Sequence, residues 1–176
     1  MACVLTSGRS EPCSDAIGGI KKLYLIDYIE DAFTVASAEA TAISASVTVV
    51  YEYDLWNDGN TFVETFTQDA NNGTSVYEQV VTVALKKQSK LFAQELSLIV
   101  KARPIAVVLD RMDNYKIVGI SDGTVSTGSL ESGGAKADFN GINLTLTATE
   151  VNPAPYLDAA TTTAFIALID ATPETP

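Results

Sequence analysis

The chain has 176 residues, 47% of them apolar and 19% charged, which suits one domain with a substantial core and excludes a chain disordered throughout. Twenty-two acids against eleven bases give a net charge of −11, the opposite of the basic footprint that duplex nucleic-acid binders need. Histidine is absent, which removes Ser-His-Asp and Cys-His catalysis and the commonest transition-metal ligand.

The opening MACVLTSGRSEPC has no basic stretch leading into an apolar run, so no secretory signal is expected. No stretch approaches the roughly 18 apolar residues of a membrane span, so no membrane partner is expected. Cys3 and Cys13 are expected to be free thiols of a reducing compartment, because two cysteines do not make a disulfide scaffold.

Residues 1–19 are rich in Ser, Gly and Pro and read as an N-terminal arm ending at Gly18-Gly19. Ile20 to Tyr28 reads as a strand, and Glu30 to Ala45 gives no clear period. Ala45 to Trp56 alternates, with Val47, Val49, Tyr51, Tyr53 and Leu55 on one face and Thr48, Glu52 and Asp54 on the other. Asn57-Asp58-Gly59-Asn60 is turn chemistry that tolerates positive φ. Thr61 to Gln68 returns as a strand, DANNGT turns again, and Ser75 to Leu85 follows, so residues 45–85 are expected to form one antiparallel meander.

The period then changes. Over residues 87–102, Phe92, Leu96 and Ile99 recur at helical spacing beside Leu91 and Leu98, which predicts a helix of about four turns. Lys101 and Arg103 suit its negative pole, and Pro104 stops it. Strands are expected at Ile105 to Leu109, Lys116 to Ser121 and Ile142 to Glu150, the last with Ile142, Leu144, Leu146 and Ala148 inward. Asp113-Asn114, Asp122-Gly123, Ser132-Gly133-Gly134 and Asn140-Gly141 mark turns and loops. Ala164 to Ile169 reads as a buried last strand before the tail ATPETP. The expected fold is mainly β: an antiparallel sandwich or barrel with one flanking helix and extended arms at both ends. It divides into the arm over 1–19, a single β-rich domain over 20–160, and a last strand with tail over 161–176.

Charge is the most informative feature. From Leu23 to Leu85 there are ten acids and no base, whereas from Lys86 to Lys116 seven bases meet three acids. Solvated faces account for such runs in most proteins. The sharper reading is complementarity between copies, an acidic patch of one meeting the basic helix region of the next in a head-to-tail contact that closes into a ring. Glu52, Asp54, Glu64 and Glu78 are then candidates to face a shared lumen, and Lys86, Lys87, Lys90, Lys101 and Arg103 to face the neighbouring subunit. An acidic lumen repels phosphate and lets DNA pass without tight binding.

Other chemistry is thinner. Glu52 and Asp54 share a strand face, and Glu64 or Glu78 opposing them across the meander would make a carboxylate pair of the kind that cleaves glycosidic bonds. A solvated sheet face is the commoner outcome, and no enzyme activity is expected. DLWNDGN and DANNGT hold oxygen ligands without the spacing of a calcium loop, and ESGGAK lacks the ending of a phosphate loop, so no cofactor or metal is expected. Asn72-Gly73-Thr74 and Asn143-Leu144-Thr145 match a glycosylation acceptor, which means nothing without secretion. Trp56, Tyr51 and Tyr53 are expected to pack in the sheet.

Two stretches, CVLTSGRSEPCSDAIGGIKKLYLIDY and KIVGISDGTVSTGSLESGGAKADFNGINLTLTATEVNPAPYL, cover roughly 70 of the 176 residues. They resemble small virion structural proteins of tailed bacteriophages, the second through Gly134, Lys136, Asp138, Asn140, Gly141, Glu150, Pro153 and Ala154. The order of elements is most similar to that of tail tube proteins. This resemblance implies a β-sandwich or barrel with a flanking helix, hexameric rings stacked into a DNA conduit with an acidic lumen, arms locking onto neighbouring rings, other virion proteins as partners, and assembly in the host cytoplasm. It implies no catalytic residues. A capsid decoration or head–tail connector protein is the alternative expectation.

Overall fold

The structure is a computed structural model that describes residues 8–11, 13–56 and 58–169. It is mainly β, with two mostly antiparallel sheets and two short helices. In chain order the elements are β1 (Ile20–Ile26), β2 (Phe33–Ala36), β3 (Glu39–Ile43), β4 (Tyr51–Asp54), β5 (Thr61–Asp69), β6 (Thr74–Lys86), α1 (Lys90–Ala102), β7 (Ile105–Asp110), β8 (Tyr115–Val118), β9 (Val125–Ser132), β10 (Asn140–Glu150), β11 (Tyr156–Leu157) and α2 (Ala159–Ile166). One sheet has seven strands in the order β2-β3-β11-β8-β7-β1-β4, and the other has four in the order β5-β6-β10-β9.

The two sheets pack face to face. Leu23, Leu25, Ala106, Val108 and Val118 of the larger sheet meet Val81, Val83, Ile142, Leu144 and Leu146 of the smaller, with Ile99 of α1 closing the side. The opposite face of the larger sheet is buried too. Tyr24, Ile26, Ile105, Val107 and Ile117 lie under Phe165 of α2, Val47 and Val50. A sheet covered on both faces needs apolar residues at consecutive positions, and β1 and β7 supply them with Leu23 to Ile26 and Ile105 to Leu109, all buried. Phe165 meets the rings of Tyr24 and Tyr115 edge-on, at centroid distances of 5.2 and 5.9 Å.

The smaller sheet alternates instead. Gln79, Val81 and Val83 point into the core from β6, Leu144 and Leu146 from β10, and the residues between them point outward. Asn60 ties the sheets together where β5 begins: its side-chain carbonyl accepts from Ala84 N–H at 2.9 Å, and its backbone carbonyl accepts from Ile20 N–H. α1 begins at the cap Ser89, whose hydroxyl accepts from Phe92 N–H at 3.0 Å, and ends at Arg103 in the left-handed region with φ 47°. Gly123 packs against that turn at φ 75°, where a Cβ would lie 2.1 Å from the Arg103 carbonyl oxygen, so only glycine fits.

Four expectations are corrected. Residues 45–85 are not one meander: β4 pairs with β1 in the larger sheet, and the chain crosses to the smaller sheet at 55–60. Strand geometry begins only at Tyr51, so Val49 and Tyr51 are exposed while Val47 and Val50 are buried. The apolar run from Ala164 is not a last strand but the second half of α2. That helix is capped by Asp158, which accepts from Thr161 N–H at 2.6 Å, and only Ile169 beyond it bridges to Val50. Trp56 does not pack in the sheet and is 90% exposed. The arm residues that are described, up to Gly18, form no strand or helix, whereas Cys3 and the tail from Asp170 onward lie outside the described residues. Cys13 is exposed.

Candidate assembly surface

The acids expected to share one face are split between two sheets. Glu52 and Asp54 project from β4, and both grip Lys22 of β1, at 2.7 and 3.3 Å. The hydrogen bond to Glu52 raises Lys22 above its ordinary pKa against the lowering effect of burial, and Asp54 adds to the rise. Between them Tyr53 turns toward the core, where its ring meets Phe92 edge-on at 6.1 Å, and burial pushes its hydroxyl pKa up. Glu64 is in the smaller sheet but faces inward, accepting from Gln79 Nε2 at 3.2 Å and from Ala154 N–H at 2.7 Å. Of these four acids Glu78 alone faces out of the smaller sheet, so the candidate pairing of Glu52 and Asp54 with Glu64 or Glu78 does not form.

Glu64 belongs to a polar network between the ends of the sheets. Gln79, 1% exposed, donates to Glu64 and accepts from Gly119 N–H at 3.2 Å. Glu150, 5% exposed, accepts from the backbone N–H and hydroxyl of Ser121. Every carboxylate oxygen taken inside this way needs a donor, and these donors come from the 119–121 and 153–154 loops. Glu150 and Ala154, both part of the resemblance to virion proteins, therefore hold loops in place. Asp138 does the same in the β9–β10 turn, where it accepts from Ala135 N–H at 2.7 Å.

The basic candidates fall at two places. Lys86 and Lys87 end β6 and Lys90 opens α1, while Lys101 and Arg103 stand at the other end of its 13 residues, roughly 20 Å away. They form two separate groups and not one patch. Arg103 is engaged within the chain, with its guanidinium 5.6 Å from the Tyr28 ring centre.

The outer face of the smaller sheet is the surface that sequence reading missed. The registers β5-β6, β6-β10 and β10-β9 place Thr65, Thr82, Thr127, Thr145 and Thr147 outward, with Val63, Val80 and Val125 among them. The acids on this face are Asp69, Glu78 and Glu131, and Lys86 stands at its edge. Hydrogen bonds from Ser129 and Asn143 lower the pKa of Glu131 and hold it charged. β9 gives little signal in sequence, because of its inward positions Ser126, Gly128 and Leu130 only the last is a large apolar residue, and it is 53% exposed.

β5 and β9 are the edge strands of this sheet, and α1 packs beside β9, where the Gln88 amide donates to the Glu131 carbonyl at 2.6 Å and the Ser126 hydroxyl to the Ile99 carbonyl at 3.4 Å. β5, with 9 residues, and β9, with 8, pair on one side only among the described residues. Natural edge strands are usually blunted by proline, lysine or inward charge. Neither β5 nor β9 contains proline or lysine, and β5 carries one inward charge, Glu64. Successive strands are antiparallel, so β9 runs opposite to β5. A copy placed beside this one therefore continues the alternation, β9 of one against β5 of the next. Comparison with known proteins finds no family model, no curated protein and no solved structure that matches this chain.

Proposed function

We propose that this chain is a self-assembling ring subunit of the kind that builds phage tail tubes, and that its four-stranded sheet closes edge to edge with its neighbours into one continuous barrel. The observation that carries the reading is the pair of long edge strands, free of proline and lysine, on a sheet whose outer face mixes threonines with valines and three acids. Closure removes those edges, which otherwise invite open-ended aggregation. A head-to-tail contact of this kind makes a ring when its rotation closes.

The lumen wall would be the outer face of this sheet. It carries Asp69, Glu78 and Glu131 against Lys86, so each subunit contributes net negative charge that repels DNA phosphates. Uncharged threonines between them offer no tight contact. Six copies, the number that the resemblance implies, would bring about 24 strands together at ~4.8 Å spacing, a cylinder roughly 37 Å across between backbones before tilt widens it. Side chains narrow that bore but leave room for a duplex. Glu52, Asp54 and Glu64 drop out of the lumen in this arrangement.

Negative-stain electron microscopy across a concentration series tests the reading. Rings with a central hole, lengthening into tubes, are the expected result. Uniform small particles at every concentration would sink it and favour a module that decorates a capsid surface.

A further inference from the structure

The two edges of the smaller sheet are not level. Thr61 of β5, Thr82 of β6, Thr145 of β10 and Thr127 of β9 stand in one row across it, and Val63, Val80, Thr147 and Val125 in another. β9 begins at Val125, so β5 runs on past it from Glu64 to Asp69. β5 begins at Thr61, so at the opposite end β9 runs on past it from Gly128 to Ser132. The sheet is a parallelogram, with one edge strand overhanging at each end.

Each overhang leaves an apolar residue of the inner face uncovered. On β5 it is Phe66, which points the same way as Phe62 and Glu64 and is 77% exposed, with the Tyr77 ring beside it at 6.4 Å. On β9 it is Leu130. Next to Leu130 on the same face, Gly128 accepts no side chain, because a Cβ there would lie 2.2 Å from the Asn143 carbonyl oxygen. α1 runs along the inner side of β9, from Gln88 at Glu131 to Ile99 at Ser126, and its Leu91 and Leu98 are exposed.

We propose that neighbouring copies join β9 to β5 with a stagger of six residues, Phe66 of one copy seated opposite Gly128 of the next. This rests on the ring reading, because edge-to-edge closure is what brings β9 of one copy beside β5 of another. Joined with their rows level, the two edges would share three residue pairs, 125–127 against 61–63. Side chains alternate along a strand, so only an even stagger keeps inner face with inner face. Staggers of two, four and six raise the overlap to five, seven and eight pairs, and eight lowers it to six. Six therefore engages the whole of β9. Closed barrels need such a stagger, and six residues at about 3.3 Å over four strands about 4.8 Å apart give a tilt of roughly 45°, at the upper end of their usual range. Glycine opposite an aromatic ring is a favourable cross-strand pair, and there the ring reaches the flank of α1. Glu64 falls opposite Leu130 with its carboxylate already engaged by Gln79 and Ala154. On the outer face Asp69 falls opposite Val125 and Glu131 opposite Val63, so no two acids oppose each other.

Paired cysteines in the full chain read the stagger directly. Thr127→Cys is combined in turn with Thr61→Cys, Val63→Cys, Thr65→Cys or Thr67→Cys, exposed positions of the outer face that report staggers of zero, two, four and six. Within one chain β5 and β9 lie three strand spacings apart, about 14 Å, too far for a disulfide, so every bond joins two copies. Rings are oxidised mildly, and mass spectrometry of the linked peptides separates these bonds from any through Cys3 and Cys13. The Thr127→Cys, Thr67→Cys pair is expected to link at least tenfold faster than the other three. Phe66→Ser is expected to leave the monomer as stable as before and to raise the concentration at which rings form at least tenfold. Rings in which another pair links best, or Phe66→Ser rings that form at the wild-type concentration, would overturn the stagger and leave the ring reading standing. Rings in which no pair links, or a wild-type chain that forms none, would overturn both.

Discussion

The two sheets of this sandwich are made from the same few residue types, yet one is covered on both faces and the other on one. In the larger sheet β1 and β7 are apolar at consecutive positions, because Phe165 and Val50 cover one face and the smaller sheet covers the other. In the smaller sheet burial alternates along β6 and β10, with Gln79, Val81, Val83, Leu144 and Leu146 inward and Glu78, Val80, Thr82, Thr145 and Thr147 outward. The larger sheet finishes its burial inside the chain. The smaller one presents an outer face of threonines, valines and three acids, and among the described residues its two outer strands pair on one side only.

The largest expected effect breaks the cover of the larger sheet. Phe165→Ala removes a fully buried ring that touches Tyr24 and Tyr115, and should cost about 4 kcal/mol in thermal or denaturant unfolding. A loss below about 1 kcal/mol would show that α2 is dispensable cover. Next comes the join between the sheets: Gln79→Leu keeps the volume but strands the Gly119 N–H, and should cost about 1–3 kcal/mol by denaturant titration.

Strong acid should then weaken the cap of α2. Hydrogen bonding from Thr161 lowers Asp158 below its ordinary value of 3.8. With the folded pKa depressed, the stability that Asp158 adds is present above that value and is lost as pH falls through the lower folded one. The Thr161 amide, followed by NMR during acid titration, should report this loss, and Asp158→Asn should abolish the pH dependence of that signal. The smallest effect on folding belongs to the outer face. Thr147→Ala should shift stability by no more than about 0.5 kcal/mol, as surface changes do. A larger shift would mean that this face is already buried within one chain.

Much of this contrast was legible in the sequence, but not the pairing that produces it. β5, β6 and β10 stand out because one buried face imposes period two, and α1 because its stripe is followed by Pro104. β4 is a strand as its alternation suggests, but its partner is not legible, because neighbours in sequence usually pair and here a turn sends the next strand to the other sheet. The β2–β3 hairpin gave no sign, since its turn places Ser37 and Ala38, not glycine or asparagine, at φ 53° and 68°. α2 was hidden by Thr161, Thr162 and Thr163, residues that favour strands until the Asp158 cap and the buried Phe165 decide otherwise. The charge segregation was plain in sequence. Its geometry was not, because residues close in the chain end on different sheets.

Hydrogen exchange at the edge amides of β5 and β9, followed across a concentration series, tests the central claim most directly. The account predicts that both edges exchange as fast as loops in the monomer and become protected together as rings form. Oligomers that assemble while either edge stays unprotected would contradict it.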